Sequence, residues 1–199
     1  MYAIARLWSK HWLVLAAAAV PLAACGDESP LAPDALAVSA AVAEVPAAVS
    51  AGALPDLGAC QDLRPEAGSK LAYHVYAEGV QIYRWDGGAW VFVGPSATLY
   101  ADAAGKAKVG THYAGPTWVS VSADTVVGAL AKKCPVDPAD IPWLLLDVAS
   151  NTGHGIFQGA AQIQRLNTVG GQFPSAPGSF TDELKNVPYT AEYFFYRAP

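Results

Sequence analysis

"KLAYHVYAEGVQIYRWDGGAWVFV" (residues 70–93) decides the fold class. In its first part Leu71, Tyr73, Val75 and Ala77 alternate with Ala72, His74 and Tyr76, the two-residue period of a strand with one buried face. Glu78-Gly79 interrupts the alternation. "VQIYRW" and "WVFV" then flank Asp86-Gly87-Gly88-Ala89, a short glycine-containing loop of the hairpin type.

The same grammar continues downstream. "ATLYADAAGKAKVGTHY" turns around Asp102 to Gly105, and "TWVSV" and "TVVGAL" turn around Ser122-Ala123-Asp124. "IPWLLLDVAS" is a continuous apolar run, read as a strand because of Pro142 and the nearby glycines. "IFQGAAQIQRL", the loop "GGQFPSAPGS" and the aromatic "YTAEYFFY" complete the chain. No stretch after residue 59 holds helical periodicity for three turns. The expectation is an all-β domain, an antiparallel sandwich or barrel of about nine or ten short strands over residues 60–199.

The first 24 residues have a different character. Arg6 and Lys10 precede "LVLAAAAVPLAAC", an apolar stretch too short to span a bilayer, which takes roughly 20 residues. A basic start, a short apolar stretch and then small residues make a secretory signal, and Leu22-Ala23-Ala24-Cys25 resembles the bacterial lipobox. Residues 1–24 are therefore expected to be a lipoprotein signal peptide, with Cys25 the lipidation site and palmitate among its acyl chains. One acyl chain anchors only marginally, and several hold durably. Gly26, not aspartate, follows the cysteine, so the expected address is the cell envelope, at the outer membrane where one exists. Residues 25–59, rich in alanine and broken by Pro30, Pro33, Pro46 and Pro55, read as a tether; about 30 residues of coil reach roughly 30 Å.

Removing residues 1–24 takes two positive charges and no negative ones, so the formal net charge goes from -5 to -7. The only adjacent basic pair left is Lys132-Lys133. Nucleic-acid binding shows itself as clustered lysine and arginine, and no nucleic-acid partner is expected.

Five strings in order, "AEGVQIYRW", "GTHYAGPTW", "IPWLLL", "IQRLNTVGG" and "VPYTAEYFFY", resemble the family known as domain of unknown function 3455, over most of the chain from about Gly68 to Tyr196. The resemblance implies secreted or lipoprotein members, a β fold and no established activity. In the family pattern a cysteine follows the "GVQIY" segment and another follows the Gly-Gly and proline loop. Here Trp85 stands in the first region and "GGQFPSAPGSF" holds no cysteine, as though one disulfide were lost. With Cys25 lipidated, Cys60 and Cys134 remain as the intramolecular pair.

Catalytic signatures are missing: no His-Glu-x-x-His, no Gly-x-Ser-x-Gly, no phosphate-binding Gly-Lys-Ser/Thr loop and no Cys-x-x-Cys. "GHGIFQG" misses the dinucleotide fingerprint by one residue in its last gap and reads as a turn. No cofactor and no metal are expected. Imidazole ligates metals and moves protons near neutral pH, but spacing does not show whether His74, His112 and His154 converge.

His112 is the strongest candidate, since its string belongs to the family resemblance and Tyr113, Thr117 and Trp118 set polar and aromatic groups near it. Gly110, Gly115 and Pro116 also suit a plain bend between strands, and Trp118 also suits a core anchor. Strand alternation puts Arg165 and Asn167 on one face, where they could clamp a carboxylate or sugar hydroxyls; the competing reading pairs Arg165 with Glu192 or Asp147. The candidate ligand-binding residues are thus His112, Tyr113, Trp118, Arg165 and Asn167, and no catalytic residue is assigned. The favoured function is a lipid-anchored envelope protein acting as a binding or structural module, with an envelope glycan, lipid or small molecule as partner. The alternative is an extracytoplasmic hydrolase or metal-dependent enzyme centred on His112.

Overall fold

The computed structural model describes residues 54–199. The signal peptide over 1–24, the lipidation site Cys25 and most of the tether lie outside the described residues. The rest is all-β, as the alternation predicts. Eight strands, β1 (Lys70–Trp85), β2 (Trp90–Tyr100), β3 (Lys108–Tyr113), β4 (Thr117–Ser120), β5 (Thr125–Cys134), β6 (Trp143–Thr152), β7 (Ala160–Gly170) and β8 (Leu184–Arg197), follow one another around a closed barrel. Every neighbouring pair is antiparallel, and β8 closes on β1 with Tyr73 opposite Phe195 and Val80 opposite Pro188.

The count of nine or ten strands is corrected to eight by two mergers. Glu78-Gly79 does not end a strand: β1 runs straight through it, pairing Gly79 with Ala97. A Cβ on Gly79 would stand 2.2 Å from the Ser96 carbonyl oxygen and 2.5 Å from the Ala97 Cα, so this glycine serves a close approach of two backbones. The second merger joins "WVFV" to "ATLY" through Gly94 and Pro95, with a register shift absorbed opposite Ile82 and Tyr83.

One end of the barrel, called the upper end below, carries the hairpins after β1 and β3 and the connections 135–142 and 171–183. The other end carries the loops 101–107, 121–124 and 153–159. The interior is packed, a core and not a pore: Val75, Ala77, Leu99, Trp118, Val126, Leu146, Ile163, Phe157 and Phe195 meet there. The alternation read in residues 70–77 holds for Val75 and Ala77, both buried inside, with Tyr73 packed against the same core. A register shift between Leu71 and Tyr73 swings Leu71 to the outside.

A second cluster lies outside the barrel, where Leu57, Cys60 and Leu63 cover Leu145, Leu166, Phe194 and Tyr196. Gln164 Nε2 donates to the Leu63 carbonyl oxygen at 2.7 Å, and Tyr196 Oη donates to Gln164 Oε1 at 2.7 Å. Cys60 and Cys134 form a disulfide that pins this cap to the end of β5. Leu57 is buried three residues before the expected domain start at Cys60. The cap explains the unbroken apolar runs: in "YTAEYFFY", Tyr193 and Phe195 face in while Phe194 and Tyr196 face a covered outer surface, so both strand faces are apolar.

Candidate functional site

The stretch "VGTHYAGPTW" is a hairpin. β3 and β4 pair His112 with Trp118 and Tyr113 with Thr117, and the turn passes through Gly115 at φ +89°, a left-handed conformation that glycine adopts without strain. Pairing on the inward face stacks the His112 imidazole on the Trp118 indole, with ring centres 4.3 Å apart and planes 9° from parallel. Tyr193 of β8 meets both rings edge-on, at 5.1 Å and 5.4 Å.

His112 is 3% exposed. Its Nδ1 lies 2.9 Å from the Thr117 carbonyl oxygen; a carbonyl only accepts, so Nδ1 carries the proton and Nε2 is left as an acceptor. Burial pushes the imidazole down from its ordinary 6.5 to about 3; the Thr117 contact works against that shift and the nearby Arg165 charge adds to it. His112 is therefore neutral at physiological pH.

Arg165 reaches the same place from β7, between Leu144 of β6 and Tyr193 of β8. Together His112 and Arg165 line a cavity of about 160 Å³ at the upper end of the barrel, walled by Phe92, Pro95, Leu144 and Leu146 and bounded by Val93, Gly115, Pro116 and Leu130. Its rim is apolar and open to solvent: Phe92 is 48% and Leu130 59% exposed. Arg165 Nη2 donates to the Pro142 carbonyl oxygen at 2.8 Å, while Nε is buried with no partner among the described residues.

Neither expected carboxylate pairs with that guanidinium. Glu192 accepts from Asn167 Nδ2 at 3.0 Å and lies 2.6 Å from His74 Nε2, and these two contacts, led by His74, hold its carboxyl below the usual carboxylate range. Asp147 accepts from Gln162 Nε2 at 2.9 Å. Among the described residues the ion pairs are His74 with Glu192 and Arg84 with Asp182.

Buried polar atoms without a partner among the described residues gather around this end: Gln81 Nε2, Trp118 Nε1, Arg165 Nε and the hydroxyls of Tyr189 and Tyr193. The two hydroxyls and the guanidinium neighbour one another without reaching full hydrogen-bond geometry. Burial raises both tyrosines' pKa values. For Tyr83, whose hydroxyl donates to the Gly171 carbonyl oxygen, burial pushes the value up to about 12.

Of the five candidate residues, His112 and Arg165 face the cavity, and Trp118 sits behind His112 in the core. Tyr113 points outward at 46% exposure. Asn167 does not share a face with Arg165, a correction to strict alternation: a bulge between Leu166 and Val169 and a positive φ of 49° at Asn167 turn it outward onto Glu192. The histidines do not converge. His74 is on the outer face beside Glu192, and His154 accepts from Gln158 Nε2 at 3.2 Å in the opposite loop. Among the described residues no three His, Cys, Asp or Glu side chains gather as a metal ion requires. Phe92 and Leu130 carry no local sequence signal for this position, because their exposure at the cavity rim is set by the closed barrel.

A family model described as "Protein of unknown function (DUF3455)" matches residues 65–197. No curated protein and no solved structure matches the chain. The matched span contains the whole barrel, the His112 hairpin and Arg165, and the chain belongs to the DUF3455 family.

Proposed function

We propose that this protein is a lipid-anchored cell-envelope protein, acylated on Cys25 and tethered by the segment after it, whose barrel binds a small molecule in the cavity shared by His112 and Arg165. The outer membrane, where one exists, is the proposed address. One observation carries the binding reading: an apolar-walled cavity open at a barrel end, with a guanidinium on its lining that no carboxylate of the described residues neutralises. Mouths of β-barrels are common ligand sites, and a few polar groups on an apolar lining give them orientation and specificity.

The electrostatics support binding over acid–base catalysis. A proton-transferring histidine works best with a pKa near the operating pH, and burial holds His112 at about 3. Its ring is also fixed by the Trp118 stack and by Thr117, which suits a static contact.

A fragment mixture titrated into isotope-labelled protein tests this reading. NMR shift changes should concentrate on His112, Leu144, Leu146 and Arg165. Changes scattered over the barrel surface, or gathered away from these four residues, would refute it.

A further inference from the structure

We propose that the natural ligand is an amphiphilic monocarboxylate, its carboxylate on Arg165 and its apolar body running along the cavity wall toward Phe92 and Leu130. This inference rests on the binding reading above and names its ligand class.

Charge comes first. A guanidinium taken partly out of water costs free energy that an opposite charge offsets, and among the described residues Arg165 meets the Pro142 carbonyl oxygen and the neutral Tyr193 hydroxyl but no carboxylate. A planar guanidinium is suited to a carboxylate, which can accept two parallel N–H bonds. The number of charges comes next. Among the described residues Arg165 is the only Lys or Arg lining the cavity, and His112 beside it is neutral, so one negative charge is matched and a phosphomonoester dianion would keep one unpaired.

Shape supplies the rest. The cavity measures about 160 Å³, close to the roughly 150 Å³ apolar cavity that takes benzene, so it holds the carboxylate and a ring or a few carbons. Anything longer leaves over Phe92 and Leu130, whose exposed apolar surface continues the wall outward. A sugar would meet few hydroxyl partners on that path.

Calorimetric titration of the purified full chain with 4-butylbenzoate, and with 4-butylbenzyl alcohol as the uncharged counterpart, tests the assignment. The benzoate should saturate one site and bind at least tenfold more tightly than the alcohol. Arg165→Met should erase that preference, weakening the benzoate at least tenfold and leaving the alcohol within twofold. The acid-to-alcohol comparison on the unaltered protein stands even if Arg165→Met fails to fold. Equal affinity of acid and alcohol, an undiminished preference in Arg165→Met, or no saturation by the benzoate overturns the carboxylate assignment. Equal affinity with NMR shifts still centred on His112 and Leu144 would leave the cavity as a binding site, whereas shifts elsewhere remove both readings.

Discussion

Acidification should weaken this barrel in a way that a single substitution, His112→Gln, removes. The unfolded chain takes a proton on His112 below its ordinary pKa of 6.5, while the folded chain refuses it down to about 3. In that window the unfolded state binds more protons, so the stabilising contribution is complete above pH 6.5 and falls by up to about 1.4 kcal/mol per pH unit as pH drops toward 3. Between pH 7 and pH 5 the loss comes to about 2 kcal/mol, a large share of a domain's usual 5–15 kcal/mol. Stopping at pH 5 stays above the ordinary 4.5 of Glu192, whose lowered pKa gives a stabilisation that is lost only as pH falls further. Glutamine can still donate to the Thr117 carbonyl and does not titrate. Urea unfolding of both proteins at pH 7 and pH 5 should therefore show the wild type's margin over the variant shrinking by about 2 kcal/mol. An imidazole resonance of His112 that stays constant down to pH 5 would confirm the cause. A margin that does not change with pH, or an imidazole that titrates near 6.5, refutes the argument.

The disulfide should be complete and should matter. Intact mass after alkylation of the denatured, unreduced protein should show no label at Cys60 or Cys134, and replacing both with serine should cost about 4 kcal/mol on the chain-entropy model for a separation of 74 residues; two labels added without reductant would rule the bridge out. For the proposed anchor, cells grown with labelled palmitate should label the wild type and not Cys25→Ala, and label persisting in the variant would remove the lipid assignment.

How much of this was legible in the sequence depends on whether a feature is local. The strand faces of Val75 and Ala77 follow from a two-residue period, and the Asp86-Gly87-Gly88 turn from its residue types, because the cause of each lies within a few residues. Gly79 was misread because a turn and a close backbone contact call for the same residue, and only the opposing strand tells them apart. Asn167 was misplaced because a bulge reverses the alternation without a distinctive residue to announce it. "YTAEYFFY" displayed its two apolar faces openly; that Leu57 and Leu63, more than a hundred residues earlier, cover one of them is a fact of tertiary packing. The meeting of His112 with Arg165 has the same origin, since β3 and β7 share no hydrogen-bonded edge and come together only because the sheet closes on itself.

The distribution of polarity along the barrel supports placing function at the upper end. Near the opposite end the interior is aromatic and aliphatic, with Phe157 stacked on Phe195 at 4.4 Å and Ile163 fully buried beside them. The buried Asp124 there is fully used, accepting from the Phe157 backbone N–H at 2.7 Å and from the Ser120 hydroxyl. Toward the upper end Tyr83 and Thr168 find carbonyl partners, but Gln81, Trp118, Arg165, Tyr189 and Tyr193 each keep a buried polar atom unpaired among the described residues, at a cost of up to about 1 to 3 kcal/mol for a neutral group and more for a charged one. Stability alone would favour carrying the lower half's chemistry through the whole barrel, because apolar replacements of similar volume avoid that cost. The cost falls where the cavity opens and where Arg165 has no anion among the described residues, the two conditions under which a bound carboxylate would offset part of it.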